Sequence, residues 1–242
     1  MMLRVLSAML VLTVLVGCAA PTRATRELPA PMMQTRARQR RATPPPPPPV
    51  QHEVKRTPAR RLLGAVTIMV DPGHGGKDPG ALGVGPVPEK TVNLGIATQL
   101  ARKLESYGAT VLMTRRGDRF PELDERAAMA ERAKVDLFVS IHADSARRAS
   151  ATGAAVYIAR SASKRSSSAA QSVVAALRKA GIKCNGIRKA GFRVLVGHSR
   201  PSMLVECGYL TNPTEAARLA TSSYQTQIAD AIAAGILNEF GG

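Results

Sequence analysis

The chain has no tryptophan, and its 242 residues hold only four tyrosines and four phenylalanines. Stacking platforms for bases are therefore scarce, and no helix-turn-helix, zinc-finger or RNA-recognition signature is present, so nucleic acid is a poor candidate partner despite the charge. Acidic residues are also short: 17 Asp and Glu face 34 Lys and Arg, for a formal net charge of +17. The imbalance is uneven. Residues 1–61 hold 11 basic and 2 acidic residues, a balance of +9, and the remaining three quarters carry +8. Such charge favours anionic surfaces in general, phospholipid headgroups or an anionic polymer among them. Cysteine is limited to three residues, too few for a disulfide framework.

Long apolar stretches are missing as well. The best is Val5 to Val16, behind the positive Arg4 and interrupted by Ser7 and Thr13. About a dozen residues do not span a bilayer core of about 30 Å, but they suit the core of an export signal. The run closes on Leu15-Val16-Gly17-Cys18-Ala19, which resembles a bacterial lipobox. Cys18 is then expected to be acylated and to become the new N-terminus; the alternative is ordinary cleavage near Ala20 or Ala24. The expected location is outside the cytoplasm, periplasmic, on a membrane through the lipid. Nothing in the sequence brings the two remaining thiols, Cys184 and Cys207, together, so two separate buried thiols are expected.

Residues 19–61 are Pro, Arg, Ala, Thr and Gln with little periodic apolar pattern. The unbroken run Pro44 to Pro49 predicts a stiff polyproline II spacer of roughly 19 Å, at about 3.1 Å per residue, within a disordered basic tether.

From Leu62 onward the pattern is that of a folded domain. Val66 to Val70 predicts a buried strand before the turn Asp71-Pro72-Gly73. Glu89 to Ser106 predicts a helix, with Val92, Ile96, Leu100 and Leu104 on one face. Strands follow over 109–113, 136–141, 153–158, 192–196 and 203–205. Helices are expected over 122–133, 169–180 (stopped by Gly181) and 224–240. Strands alternating with helices imply the α/β class: one open, mostly parallel twisted sheet of about six strands with helices on both faces. If 192–196 and 203–205 are sheet neighbours, their short connection makes them antiparallel and puts His198 at the end away from Glu206.

Three of these strands lead into residues that carry chemistry: Asp71-Pro-Gly-His74, then His142-Ala-Asp144, then Glu206. Glu89 opens the helix after the first strand, so all four groups are expected beyond the carboxyl ends of the strands, where ligands of open α/β sheets collect. Two imidazoles and a carboxylate make a catalytic metal set with room for water, and a further carboxylate can move protons. Spacing alone leaves other readings open. His74 can be a loop residue, Glu89 a favourable charge at a helix N-terminus, and Asp136 and Asp144 strand-edge or capping groups. Glu206 is harder to dismiss, because a carboxylate after an apolar strand needs a partner.

The segments VDPGHGGKDPGALG, EKTVNL, Thr114-Arg115, LDERAAMAERAKVDLFVSIHAD, GIRKAGFRVL and PSMLVECGYLTNP, spread from Val66 to the C-terminus, resemble the zinc-dependent N-acetylmuramoyl-L-alanine amidase family in kind and order. The resemblance implies His74, Glu89 and His142 as ligands of one zinc ion and Glu206 as the catalytic glutamate. The implied reaction is hydrolysis of the amide between N-acetylmuramic acid and L-alanine in peptidoglycan, by a catalytic domain over 62–242 that is expected to be monomeric. Two departures, Ala130-Glu131 and Val194-Leu195-Val196, stand where many members have Ala-Asn and Val-Leu-Arg; they bear on substrate contacts. Some members carry a long self-blocking insertion after the third strand, but only Ser145 to Thr152 occupies that place here, so no such element is expected. The competing readings are a zinc peptidase acting within the stem peptide, a Cys207–His198 hydrolase, and a lipoprotein that binds the wall without cutting it.

Overall fold

The computed structural model describes residues 63–241. The export signal, Cys18 and the basic tether lie outside the described residues. Along the chain come β1 (Thr67–Pro72), α1 (Glu89–Ser106), β2 (Thr110–Met113), α2 (Leu123–Arg132), β3 (Leu137–Asp144), β4 (Ala154–Ala159), α3 (Lys164–Lys179), β5 (Cys184–Ala190), α4 (Arg193–Val196), β6 (Ser202–Tyr209), α5 (Pro213–Leu219) and α6 (Ser222–Phe240). The six strands form one sheet in the order β2-β1-β3-β6-β4-β5. Every adjacent pair is parallel except β4 with β6. The sheet is open and mostly parallel, as the sequence implies.

Alternation along the strands divides the core in two. Ile68, Val70, Val139, Ile141, Met203 and Val205 face the larger core beneath α1, α3 and α6. Their neighbours Met69, Phe138 and Leu204 face a smaller core with Val194 and Leu195 of α4 and Ala130 of α2. In α1, Val92, Ile96, Leu100 and Leu104 are fully buried, the face expected from their four-residue spacing. Each such side chain contributes about 1.5–3 kcal/mol relative to leaving it in water.

Several expectations need correction. Residues 193–196 form a helical turn, not a strand, and the antiparallel neighbour of β6 is β4. Val194 and Leu195 are adjacent yet pack into the same smaller core, whereas a strand would send them to opposite faces. Five residues, apolar except for Arg193, are too few to separate these possibilities by period. The strand of that region is β5, which sequence reading missed: it lies at the sheet edge, mostly exposed, so its residues carry no buried alternation. Gly186, at φ +90°, sits where its register with β4 shifts, a bulge that breaks the pattern further. The short α5 was also missed, and α3 starts at Lys164, capped by Ser163, rather than at Ala169. His142 and Glu206 lie inside strands that run on to Asp144 and Tyr209, not just beyond their ends. Between β3 and β4, residues 145–153 form a short loop without helix.

Candidate metal centre and catalytic cleft

The turn after β1 is held by two buried arginines. Arg115 donates from Nε to the carbonyl of Pro72 (2.9 Å) and from Nη2 to that of Gly73 (2.8 Å). Arg126, on the inner face of α2, donates from Nη1 to Pro72 O and from Nη2 to His74 O, both at 2.8 Å. Three consecutive carbonyls are thus fixed from one side. Asp71 balances the charge beneath them: it accepts from Arg126 Nη1 (2.7 Å), from Ser140 Oγ (2.7 Å) and from Thr114 Oγ1, and is fully buried. This frame holds His74 at φ +59°, a left-handed conformation that costs a non-glycine residue about 1–2 kcal/mol.

His74 is oriented from behind. Its Nδ1 meets Asp78 Oδ2 at 2.7 Å, which leaves Nε2 facing Glu89 Oε1 at 3.1 Å. His142 Nδ1 reaches the same carboxylate oxygen at 3.0 Å. Glu89 is itself fixed by Asn93 Nδ2 (3.1 Å), by the backbone N–H of Ala143 (3.2 Å) and, at its other oxygen, by that of Ala81 (2.8 Å). One ligand atom from each of His74, Glu89 and His142 lies within 4.8 Å of the others. Burial alone would raise the Glu89 pKa, but the two imidazoles outweigh it and hold it well below the usual carboxylate range. Burial acts to lower the His74 pKa, and Glu89 with Asp78 more than offset it.

Two glycines leave the room these side chains occupy. A Cβ on Gly73 would stand 2.2 Å from ring atoms of His142; one on Gly80, at φ +67°, would stand 2.6 Å from Glu89 Oε2. The donor set, two imidazole nitrogens each within about 3 Å of one carboxylate oxygen and all three within 4.8 Å of one another, fits a borderline divalent ion such as zinc.

Glu206 is brought to the same place by strand register, as the cross-strand partner of His142. Both line a cleft of about 400 Å³ with His74, Phe120, Leu123 and Phe192. Glu206 Oε2 is buried and has no hydrogen-bond partner among the described residues. Burial first, then the charges of Asp144 and Glu89, push its pKa well above the ordinary carboxylate value.

The other singled-out residues do not join the ligand set, although the charge of Asp144 reaches Glu206. Asp136 accepts from the backbone N–H of Thr67 at a strand edge, and Asp144 from that of Ser145. His198 packs edge-on against Phe138, near the start of β3, and its Nδ1 accepts from Arg200 N–H. Cys207 is buried in the larger core, on the face away from the cleft. Phe138 is level with Ser202, five residues of strand or roughly 16 Å from Cys207, so the Cys-His reading has no geometry. Cys184 and Cys207 are separate and buried, as expected. Sequence reading missed Asp78, Asn93 and Arg126. The signal for Arg126 is a basic residue among Ala127 and Ala130 on the inner stripe of α2; those for Asp78 and Asn93 are their places four residues after His74 and Glu89.

A family model described as N-acetylmuramoyl-L-alanine amidase matches residues 68–238. The uncharacterised Bacillus subtilis protein YqiI is 38% identical over 175 residues, covering 70% of this chain and 82% of its own. The N-acetylmuramoyl-L-alanine amidase LytC of the same organism is 37% identical over 178 residues, or 72% of this chain; the match spans only 35% of LytC. Among solved structures, an N-acetylmuramoyl-L-alanine amidase from Clostridium difficile 630 superposes with a TM-score of 0.70 at 34% identity, covering 72% of this chain and 96% of that one.

Proposed function

The chain belongs to the N-acetylmuramoyl-L-alanine amidase family, and we propose that its cleft hydrolyses the amide joining N-acetylmuramic acid to L-alanine in peptidoglycan, with a zinc ion held by His74, Glu89 and His142. The observation that carries this reading is the convergence of those three ligand atoms beside Glu206, a buried carboxylate aligned with His142 in the adjoining strand. An ion bound there supplies Lewis acidity, polarising the scissile carbonyl and lowering the pKa of water.

The chain's own residues do the rest. Asp78 holds His74 in the tautomer that turns Nε2 toward the ligand set, and Asn93 with the amides of Ala81 and Ala143 keeps Glu89 in place. Glu206 takes a proton from the attacking water and delivers one to the departing nitrogen. The new C–O bond leaves a lactyl carboxylate; the broken C–N bond leaves the amine of L-alanine. Phe120, Leu123 and Phe192 give the cleft an apolar wall that limits water around the reacting atoms.

The location belongs to the same proposal. An export signal, acylation at Cys18 and a proline-rich tether of residues 19–61 would hold the domain at a membrane within reach of the wall; the lipobox-like Leu15 to Ala19 and the run Pro44 to Pro49 support it.

Incubating the full chain with purified peptidoglycan, with and without chelator, tests the reading. New L-alanine amino termini that vanish on chelation and return with zinc are expected. Cuts between two stem residues, or no release of any kind, would overturn it.

A further inference from the structure

The domain's charge is strongly lopsided. Residues 145–205 contain twelve Lys and Arg and no Asp or Glu, whereas the rest of the described domain holds 11 basic and 15 acidic residues. The acid-free stretch runs through the loop after β3, then β4, α3, β5 and α4 into the first half of β6, and β4, α3 and β5 make the β5 edge of the sheet. Only Arg193 among the twelve has a carboxylate partner among the described residues, Asp124 on the far rim of the cleft. The rest of that far rim is neutralised in pairs, Lys77 with Glu122, Lys90 with Asp118 and Arg119 with Glu125.

Part of this charge stands level with the catalytic groups. Ala155 pairs with Glu206, and Ala154 with Cys184, so the start of β5 lies at the level of the site. Lys183 immediately precedes it and bonds Thr152 Oγ1, which ties in the loop bearing Arg147 and Arg148. The last turn of α3 arrives at the same place, where Arg178 donates to Cys184 O. Further along β5, Arg188 reaches Tyr157 Oη at 3.1 Å, and Tyr157 packs on Phe192 of the cleft wall. Arg147, Arg148, Lys183 and Arg188 are all exposed.

Unbalanced like charge works against a compact fold unless an anion meets it. Edge lysines and arginines also discourage sheet-to-sheet pairing, which accounts for Arg188 and Lys189 but not for the charges of α3 and of the loop. We propose that this basic rim is an electrostatic docking face for the carboxylate-bearing stem peptides of peptidoglycan around the bond being cut. The proposal rests on the amidase reading for the identity of the polymer. Stem peptides carry free carboxylates, while the sugars joined to them supply no such charge at the far rim. The rim would therefore orient the wall across the cleft, with peptide on the β5 side.

Sedimentation of the full chain with purified peptidoglycan tests this in a Glu206→Gln background, so that the wall is not consumed. Two triple variants of equal charge change are compared: R147E/R148E/K183E on the rim, and R102E/R116E/R132E at exposed positions elsewhere. The rim variant should bind at least about tenfold more weakly, and the control as the parent does. Raising salt from about 0.01 M to about 0.15 M, which shortens the screening length from about 30 Å to about 8 Å, should weaken the parent and the control but hardly the rim variant. Equal loss in both triples would reduce the effect to net charge and overturn the proposal. So would unchanged wall binding of the rim variant, including the case in which it loses only binding to vesicles of anionic phospholipid. Circular dichroism melts of both triples separate unfolding from lost docking. The amidase reading is scored independently, by L-alanine amines released by the chain with Glu206 intact; their absence leaves the binding comparison standing.

Discussion

Glu206 stands directly across from His142, as register partners in the parallel pairing of β6 with β3. Sixty-four positions of chain separate them, yet the sheet sets one beside the other on the same face, together with Glu89 and His74 reaching in from α1 and the β1 turn. The proposed proton transfer and metal ligation would therefore share a rigid support, and each can be probed separately.

Glu206→Gln keeps size and loses the titrating oxygen. Release of L-alanine amines should fall about 100-fold to 10,000-fold, the range for a general acid–base group, while bound metal, measured by elemental analysis, stays at the parent level. Parallel loss of metal would instead make Glu206 a ligand.

Removing the metal should also cost stability. A ligand present at about a thousandfold over its Kd stabilises the native state by about 4 kcal/mol, or roughly 8–16 °C in Tm for a domain of this size. Chelator should produce a fall of that order, and His142→Ala should show a low Tm that chelator no longer moves. A chelator effect that survives His142→Ala would place the ion elsewhere.

Gly73→Ala puts a methyl 2.2 Å from ring atoms of His142. The imidazole must move, and metal affinity should drop by about 10–100-fold, as when a ligand loses its orienting partner. Gly191, with nothing within 4 Å of its Cβ position, serves as the control for alanine substitution. Unchanged metal titration in Gly73→Ala would show that the turn yields without disturbing the ligand.

Arg126→Met removes the cation buried against Asp71 and its donors to the carbonyls of His74 and of Pro72, the latter keeping only Arg115. Breaking such a pair from one side should destabilise the fold by about 3–5 kcal/mol in denaturant titration. Lys77→Met, which breaks the exposed pair with Glu122, should stay within about 1 kcal/mol of the parent.

The Cys207 thiol is pushed well up, by burial first and then by the charges of Glu206 and Glu89. Peptide mapping after iodoacetamide near pH 8 should find Cys184 and Cys207 unmodified in the folded protein, modified after unfolding, and never joined. Rapid labelling of native Cys207 would reopen the thiol-hydrolase reading.

Much of the fold was legible before the structure, for reasons visible in single elements. α1 was found with its bounds because four apolar residues at helical spacing had no competing pattern, and β1 because β-branched residues stop at Asp-Pro-Gly. Residues 193–196, three apolar residues after Arg193, are too few for either period to show, and β5 gives no signal because an edge strand needs no apolar face. The candidate ligands are legible as residue types near strand and helix ends; the residues that hold them, Arg126 above all, read as ordinary surface charges until α2 turns one inward.

Sequence alone determined the domain class, the four chemical groups and the chain's family resemblance, since these depend on local periodicity and on residue identity. Tertiary structure decided what no local pattern carries. Strand order and register bring Glu206 beside His142; packing of α2 supplies the cation that makes a buried Asp71 tolerable; and the turn to the β5 edge gathers scattered lysines and arginines into one rim level with the site. Each is a relation between segments far apart in the chain. It exists only once burial and hydrogen bonding have offset the entropy of bringing them together.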